Sequence, residues 1–271
     1  MSPWLHRSAL VLVVLAMAVI ITGALITSTA VAARQSHSAI SPFVNEGPHR
    51  AFAVSLIVFT LGIAIWISAA PTPGWLRAVA WSGILTLTTC AALGWQTSPL
   101  SPKAGVLHAL LAHLFFSLIV VIAIGTSESW NRSTELVDGN SKPLLRPLAV
   151  ATPLIVFLQI TLGATYRHDV TSIMPHLVVA MGVALLALIS SSAVLQHFSR
   201  PASLRGAAAA LISIVLAQVC FGIGAFLMLA LNAEGTIYFV ATTVGHVLVG
   251  ASTLAASVVM AMQVRRCVLP K

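Results

Sequence analysis

The sequence has few charged residues: they make up 7% of its 271 positions, whereas 58% are hydrophobic. A soluble domain of this size needs far more charge to cover its surface. The 14 lysines and arginines outnumber 6 acidic residues, but they stand mainly at the ends of apolar runs. No basic cluster interleaved with aromatic residues indicates a nucleic-acid interface. The composition therefore excludes a nucleic-acid-binding protein and favours a protein of the lipid bilayer.

Cysteine is also rare. Cys90 and Cys220 lie inside apolar runs, and Cys267 lies in the C-terminal tail. None is in a loop that we place on the outer side of the membrane, so we expect no structural disulfide. The scarcity of acids excludes a di-iron helix bundle, because that site needs two Glu-x-x-His motifs and two further carboxylates, whereas Glu46 and His49 form a single copy.

Long apolar runs dominate what remains. A membrane-spanning helix needs roughly 20 apolar residues. Eight segments meet this requirement and are separated by prolines and polar residues. They cover residues 9–32, 49–70, 75–95, 104–126, 146–166, 174–197, 206–231 and 238–263. The sequence therefore predicts an all-α integral membrane protein with eight transmembrane helices.

The distribution of basic residues predicts the orientation of these helices. An even number of spans puts both termini on one side, and we call the opposite side the outer side. Four basic residues fall on the outer side: Arg34, Arg50, Lys103 and Arg167. The other ten fall on the side of the termini. Because positive residues concentrate in the cytoplasm, we expect a multi-pass protein of the inner (plasma) membrane with both termini cytoplasmic.

A polar stretch at 127–145 separates two similar halves, residues 1–126 and 146–271. Val-Leu-His108-Ala-Leu-Leu-Ala in the fourth segment resembles Val-Gly-His246-Val-Leu-Val-Gly in the eighth. His49 and His176 open the second and sixth segments, and Thr-Gly-Ala in the first matches Leu-Gly-Ala in the fifth. We therefore predict two tandem four-helix bundles, related by a duplication with a pseudo-two-fold axis and joined by a cytoplasmic linker.

Four histidines occupy matching places in these halves: His49, His108, His176 and His246. Ionisable residues within a membrane are costly and usually functional. Two imidazoles in an apolar four-helix bundle are typical of an axially ligated heme iron, and hydrogen bonding between helices is the alternative interpretation. His113 competes with His108 as the ligand, but its counterpart in the second half is an alanine.

Glu46 lies three residues before His49, on the same helix face. A carboxylate in this place can handle protons beside a ligand, or it can simply stabilise the start of a helix. No glutamate precedes His176 in the same way, so we expect a catalytic half and a supporting half. Arg50 and Arg167 stand at outer helix ends, where they can bind heme propionates or extend to the lipid surface.

These residues together resemble the heme A synthase family over nearly the whole chain. The resemblance is carried by Glu46-x-x-His49-Arg50, by His108-Ala-Leu-Leu-Ala, by Leu158-Gln-Ile-Thr-Leu-Gly-Ala164 with Arg167-His168, and by Thr243-Val-Gly-His246. It implies an oxidoreductase that converts heme O to heme A by oxidising a porphyrin methyl group to a formyl group.

By that resemblance, His49 and His108 hold the substrate heme, His176 and His246 hold heme b, and Glu46 lies near the substrate methyl group. The implied partners are an electron donor that the sequence does not name, and heme O synthase or a terminal oxidase. The oligomeric state is left open. The chain departs from many members because its first outer loop, at about 33–48, contains no cysteine. A di-heme membrane cytochrome that only transfers electrons and a heme carrier or assembly factor remain alternatives.

Overall fold

In a computed structural model, the structure describes residues 1–35, 46–95, 101–138, 145–198 and 200–269. Most of this part of the chain is helical. The helices are α1 (Pro3–Gln35), α2 (Glu46–Ala69), α3 (Gly74–Trp95), α4 (Pro102–Thr126), α5 (Glu128–Asn131), α6 (Leu145–Arg167), α7 (Met174–His197), α8 (Ala202–Ala230) and α9 (Ile237–Cys267). All except α5 are long and apolar enough to cross a membrane, which confirms the eight predicted spans.

Several of these helices extend beyond the apolar segments that predict them. Helix α1 has 33 residues and α9 has 31. At about 1.5 Å per residue they are close to 50 Å long, more than the roughly 30 Å of a hydrocarbon core. Hydrophobicity marks only the part of a helix that lies in lipid, whereas its backbone hydrogen bonds continue into the interface.

Local sequence explains where several helices begin. The Ser101 hydroxyl accepts a hydrogen bond from the Ala104 amide, and Pro102 occupies the first turn, where no amide donor is needed. The Thr236 hydroxyl accepts from the Phe239 amide in the same way at α9. These caps fix the outer ends of α4 and α9, and with them the depth of the histidines further along.

The apolar interior is divided into two main clusters. One consists of side chains from α1, α2, α3 and α4, together with Ala251 and Ala255 of α9. The other consists mainly of side chains from α6, α7, α8 and α9. Helix α9 contacts α1 and α4 as well as α6 and α8. It therefore joins the two clusters along one long interface.

The segment after α4 has structure that hydrophobicity did not predict. Ser127 caps α5 by accepting a hydrogen bond from the Trp130 amide. Further on, the Val137 amide donates to the Cys267 carbonyl (2.8 Å) and the Leu269 amide donates to the Val137 carbonyl (3.0 Å). The first part of the linker is thereby attached to the C-terminal end of α9.

Candidate functional site

Each of the four repeated histidines packs its ring against a glycine on the preceding long helix. A Cβ atom built at Gly23 would lie 3.1 Å from Cε1 of His49, and one at Gly94 would lie 2.8 Å from Cε1 of His108. The corresponding distances are 2.9 Å for Gly163 and His176, and 3.0 Å for Gly222 and His246. A larger residue at any of these four places would crowd the imidazole, most of all at Gly94 and Gly163, so the same close packing occurs four times.

In the N-terminal half, hydrogen bonds fix which ring nitrogen carries the proton. Nδ1 of His108 donates to the Cys90 carbonyl (2.9 Å). Nδ1 of His49 lies 2.9 Å from the Thr22 hydroxyl, whose own hydrogen faces the Ala18 and Val19 carbonyls, so the ring nitrogen donates here too. With Nδ1 protonated, Nε2 keeps its lone pair, which is the form in which histidine binds a metal ion.

The C-terminal half uses glutamines at the equivalent positions. Nδ1 of His176 faces the Gln159 carbonyl (3.2 Å) and the Gln159 side-chain amide (3.0 Å), and that amide also donates to the His176 carbonyl (2.8 Å). The Gln218 amide lies 3.3 Å from Nε2 of His246. Both glutamines therefore form hydrogen bonds to the histidine of the following long helix.

These contacts leave buried atoms without partners. Nδ1 of His246 and the Oε1 atoms of Gln159 and Gln218 have no hydrogen bond within the described part of the chain. Buried polar atoms are nearly always hydrogen-bonded, and each exception calls for an explanation. Nδ1 of His246 lies against the Gln218 backbone, so the two glutamine oxygens are the atoms that a further group in this site would satisfy.

The structure brings the histidines together in the predicted pairs. The rings of His176 and His246 have centroids 6.0 Å apart and planes at 83°. His49 and His108 are electrostatic neighbours. At this separation the rings of His176 and His246 belong to one site, which α7 and α9 form together.

His113 lies away from both pairs. It is only 8% exposed, and its Nδ1 donates to the Ala109 carbonyl of the same helix (2.7 Å). The ring also hydrogen-bonds with the Val247 carbonyl of α9. His113 therefore connects α4 to α9 at the residues that directly follow His108 and His246.

Glu46 forms an ion pair with Arg50 one turn later on α2 (2.8 Å), and both side chains are about 40% exposed. The Arg50 guanidinium also lies 5.8 Å from the centre of the Trp95 ring of α3. The carboxylate interacts electrostatically with His49. The carboxylate therefore interacts both with an arginine, which neutralises its charge, and with a histidine of the candidate site.

Arg167 ends α6 in the C-terminal half, but its guanidinium binds α1 of the N-terminal half. Nη2 donates to the Ala24 carbonyl (3.0 Å), to the Ser28 hydroxyl (2.7 Å) and to the Thr27 hydroxyl (2.5 Å). All six carboxylate side chains lie in the described residues, and none of them forms an ion pair with Arg167. A half-buried cation bound only to neutral oxygens is suited to a further anionic partner.

His168 is the site residue that sequence reasoning missed. Its ring contacts Gly105, one turn before His108 on α4, and interacts electrostatically with His108. Burial and the neighbouring Arg167 lower the pKa of His168, so the ring is neutral at physiological pH. The sequence signal was the Arg167-His168 dipeptide itself, but nothing in the sequence indicated that the end of α6 reaches the other half.

No protein-family model and no curated protein sequence matches this chain. The function of the protein is therefore inferred from its residues and their geometry. The remaining histidines contribute little to that inference. His6 lies within 3.0 Å of the Ala123 carbonyl and connects α1 to α4, His197 ends α7, and His37, like most of the first outer loop, lies outside the described residues.

Proposed function

We propose that the two histidine pairs bind two hemes, and that His49 and His108 would hold the heme iron in one half and His176 and His246 in the other. The observation that carries this proposal is the fourfold contact between a ring and a glycine. The contact recurs at the equivalent place in four separate helix pairs, which a duplicated pair of ligands would explain; His168 also lies against a glycine, Gly105, but outside these helix pairs. Heme b in the C-terminal half would supply one-electron redox chemistry.

A duplication of a four-helix unit supports this assignment, since it relates the contacts of the two halves. Thr27 lies four residues after Gly23, and Arg167 lies four residues after Gly163. The Arg167 guanidinium donates a hydrogen bond to the Thr27 hydroxyl. One residue further, Ser28 of α1 lies 2.9 Å from Thr243 of α9, and His168, directly after α6, contacts Gly105 of α4. Thr243 and Gly105 each precede a ligand histidine by three residues. The contacts across the interface thus form equivalent pairs.

The reaction that we propose is oxidation of heme O to heme A in the N-terminal half. The two halves differ in the way that a reaction site and a supporting site should. Only the N-terminal pair has a carboxylate nearby, Glu46, and only this half has the apolar Val19 and thiol-bearing Cys90 where the other has glutamines. Glu46 would accept a proton released at the substrate methyl group, and its ion pair with Arg50 (2.8 Å) would hold the carboxylate in place beside His49.

The positive charge of Arg167 is suited to a substrate propionate. Its guanidinium lies against α1 only a few residues beyond Gly23, on which His49 rests. Arginine binds carboxylates with two parallel hydrogen bonds. In this arrangement the C-terminal half would hold the substrate that the N-terminal half converts.

A di-heme cytochrome that only transfers electrons is the second candidate, and one contact favours it. The Glu46 carboxylate is already satisfied by Arg50 at 2.8 Å, and a helix-stabilising ion pair of this kind needs no catalytic task. A heme carrier would use the same ligands. Both of these functions leave the heme chemically unchanged, whereas the first function converts heme O to heme A.

The decisive experiment replaces Glu46 with glutamine in the full-length protein. Hemes would be extracted from purified protein and from cells that depend on it for heme A, and then separated by chromatography. We expect Glu46→Gln to keep its bound heme and to lower heme A formation at least tenfold. Glu128→Gln is the matched control because Glu128 also pairs with an arginine four residues later. Unchanged heme A in Glu46→Gln would contradict the catalytic role, and protein without any heme would contradict the site.

We also propose that the protein lies in the plasma membrane with both termini and the linker in the cytoplasm. The support is the division of basic residues, ten on the side of the termini and four on the outer side. All four candidate ligands then lie toward the outer ends of their helices. A substrate heme would enter from the outer leaflet or from the lipid beside it.

A further inference from the structure

An apolar groove runs between the beginning of α6 and the end of α9, on the side of the two termini. It is lined by Val150, Pro153 and Leu154 of α6 and by Val258, Ala261 and Met262 of α9, and Arg265 stands at its end. Leu154 is 68% exposed. An open apolar groove on the surface of a membrane-spanning bundle faces the acyl chains of the bilayer.

Two arginines lie together at the mouth of this groove. Nη2 of Arg146, one turn before Val150, donates to the backbone carbonyl of Arg265 (3.1 Å). Nε of Arg146 is buried and has no hydrogen-bond partner within the described residues. Neither arginine forms an ion pair with any of the six carboxylate side chains, all of which are described. Two arginines near one end of the groove, neither of them paired with an acidic side chain, leave a positive charge there that an anion can neutralise.

The neighbouring arginine has a different task. The Arg266 guanidinium lies 4.6 Å from the centre of the Trp130 ring and donates to the Arg132 carbonyl (2.6 Å). A second apolar groove, between α4, α8 and α9, has no charged residue in its lining. Of these two grooves, only the first combines a size that fits an acyl chain with a positive charge at its end.

We propose that this groove binds one anionic phospholipid, with an acyl chain between α6 and α9 and the phosphate at Arg146 and Arg265. Basic pockets between transmembrane helices are typical sites for anionic head groups. Arg265 is exposed at the end of the groove, and Arg146, which binds its backbone carbonyl, adds a second positive charge close by. The lipid would fix the packing of α6 on α9 and does not depend on the proposed heme reaction.

The test measures lipid binding to the full-length protein by native mass spectrometry in detergent. The probes are phosphatidylglycerol and phosphatidylcholine with identical acyl chains. We expect one tightly held phosphatidylglycerol, lost in the double variant Arg146→Gln and Arg265→Gln. A basic residue near the head group contributes about 1 kcal/mol, so each substitution should weaken binding about fivefold. Arg77→Gln is the matched control, because Arg77 lies on the same side but outside the groove.

A second pair of variants tests the acyl chain. Ala261→Leu fills the groove and leaves both arginines in place, and Ala210→Leu makes the same change in the uncharged groove. We expect only Ala261→Leu to weaken phosphatidylglycerol binding, with melting temperatures confirming that both variants fold. Equal binding of the two lipids would overturn the proposal. So would a retained lipid in the double variant, or full displacement by millimolar inorganic phosphate, which would indicate a plain anion site.

Discussion

Each candidate ligand histidine rests on a position where a side chain larger than a hydrogen atom would collide with the ring. Gly94→Ala would place a Cβ atom 2.8 Å from His108, whereas Gly62 has no atom within 4 Å of the corresponding position. Overpacking costs about 1–3 kcal/mol, and alanine otherwise favours a helix by up to about 1 kcal/mol.

We therefore expect Gly94→Ala to lower the melting temperature in detergent, and Gly62→Ala to leave it unchanged or raise it. Both substitutions lie in the N-terminal half and add the same methyl group, so the comparison isolates the contact with the ring. Gly94→Ala should likewise reduce the absorption of bound heme more than Gly62→Ala does. Equal effects of the two substitutions would contradict a role for the glycine in positioning His108.

The two histidines of α4 are separated by a second comparison. His108 contacts Gly94 and interacts with His49, whereas His113 bonds to the Ala109 carbonyl. We expect His108→Ala to reduce the heme content from two per chain to one. His113→Ala should keep both hemes but melt at a lower temperature, because it leaves a cavity between α4 and α9. The measurement is heme per protein after purification, and loss of heme from His113→Ala alone would reverse the assignment.

At the scale of helices, Arg167 attaches the end of α6 to α1. Its guanidinium donates to one carbonyl and two hydroxyls, and hydrogen bonds to charged groups contribute about 1.5–3 kcal/mol each. Arg167→Gln should therefore destabilise the protein by several kcal/mol in thermal unfolding. Arg77→Gln removes only one such bond, from an exposed side chain to the Thr72 carbonyl (2.8 Å), and should destabilise the protein by no more than about 1.5 kcal/mol, because solvent replaces part of that bond. Equal losses would show that the contact with α1 contributes little.

The sequence predicted the existence and order of the eight long helices because a membrane span requires a continuous apolar run. It could not predict how far α1 and α9 extend, since their ends lie in the interface, where hydrophobicity is no guide. Helix α5 was missed because it has only four residues. Its signal, Ser127 before Glu128, is a short capping pattern inside a polar stretch.

The site was predictable to the extent that it repeats. His108 was preferred over His113 by comparison of the two halves, and the structure places His108 beside His49. The position of His168 beside His108 could not be predicted. Residues 108 and 168 belong to different halves, and a hydrophobic pattern contains no information on which helices become neighbours. Contacts between helices depend on side-chain shape along both surfaces.

At the scale of the whole molecule, the interface between α1, α4, α6 and α9 makes the halves interdependent. Arg167 and His168 extend from the C-terminal half into the N-terminal half, and Thr243 of α9 bonds to Ser28 of α1. Each half thus contributes residues to the surroundings of the other's histidine pair. A separated N-terminal half would lack the cation and the neutral histidine that we place near the substrate.

The orientation of the whole chain decides from which side a substrate reaches these histidines. Ser172 lies between α6 and α7 on the outer side, and Ser133 lies in the linker on the side of the termini; both are exposed. We expect a membrane-impermeant maleimide to label Ser172→Cys in intact cells, and Ser133→Cys only in inside-out vesicles. Cys220 is exposed and would be replaced by alanine first, whereas Cys90 and Cys267 are buried. Because ten basic residues stand on the side of Ser133 and four on the side of Ser172, the opposite labelling would require the chain to violate the positive-inside rule, and the histidine pairs would then open toward the cytoplasm.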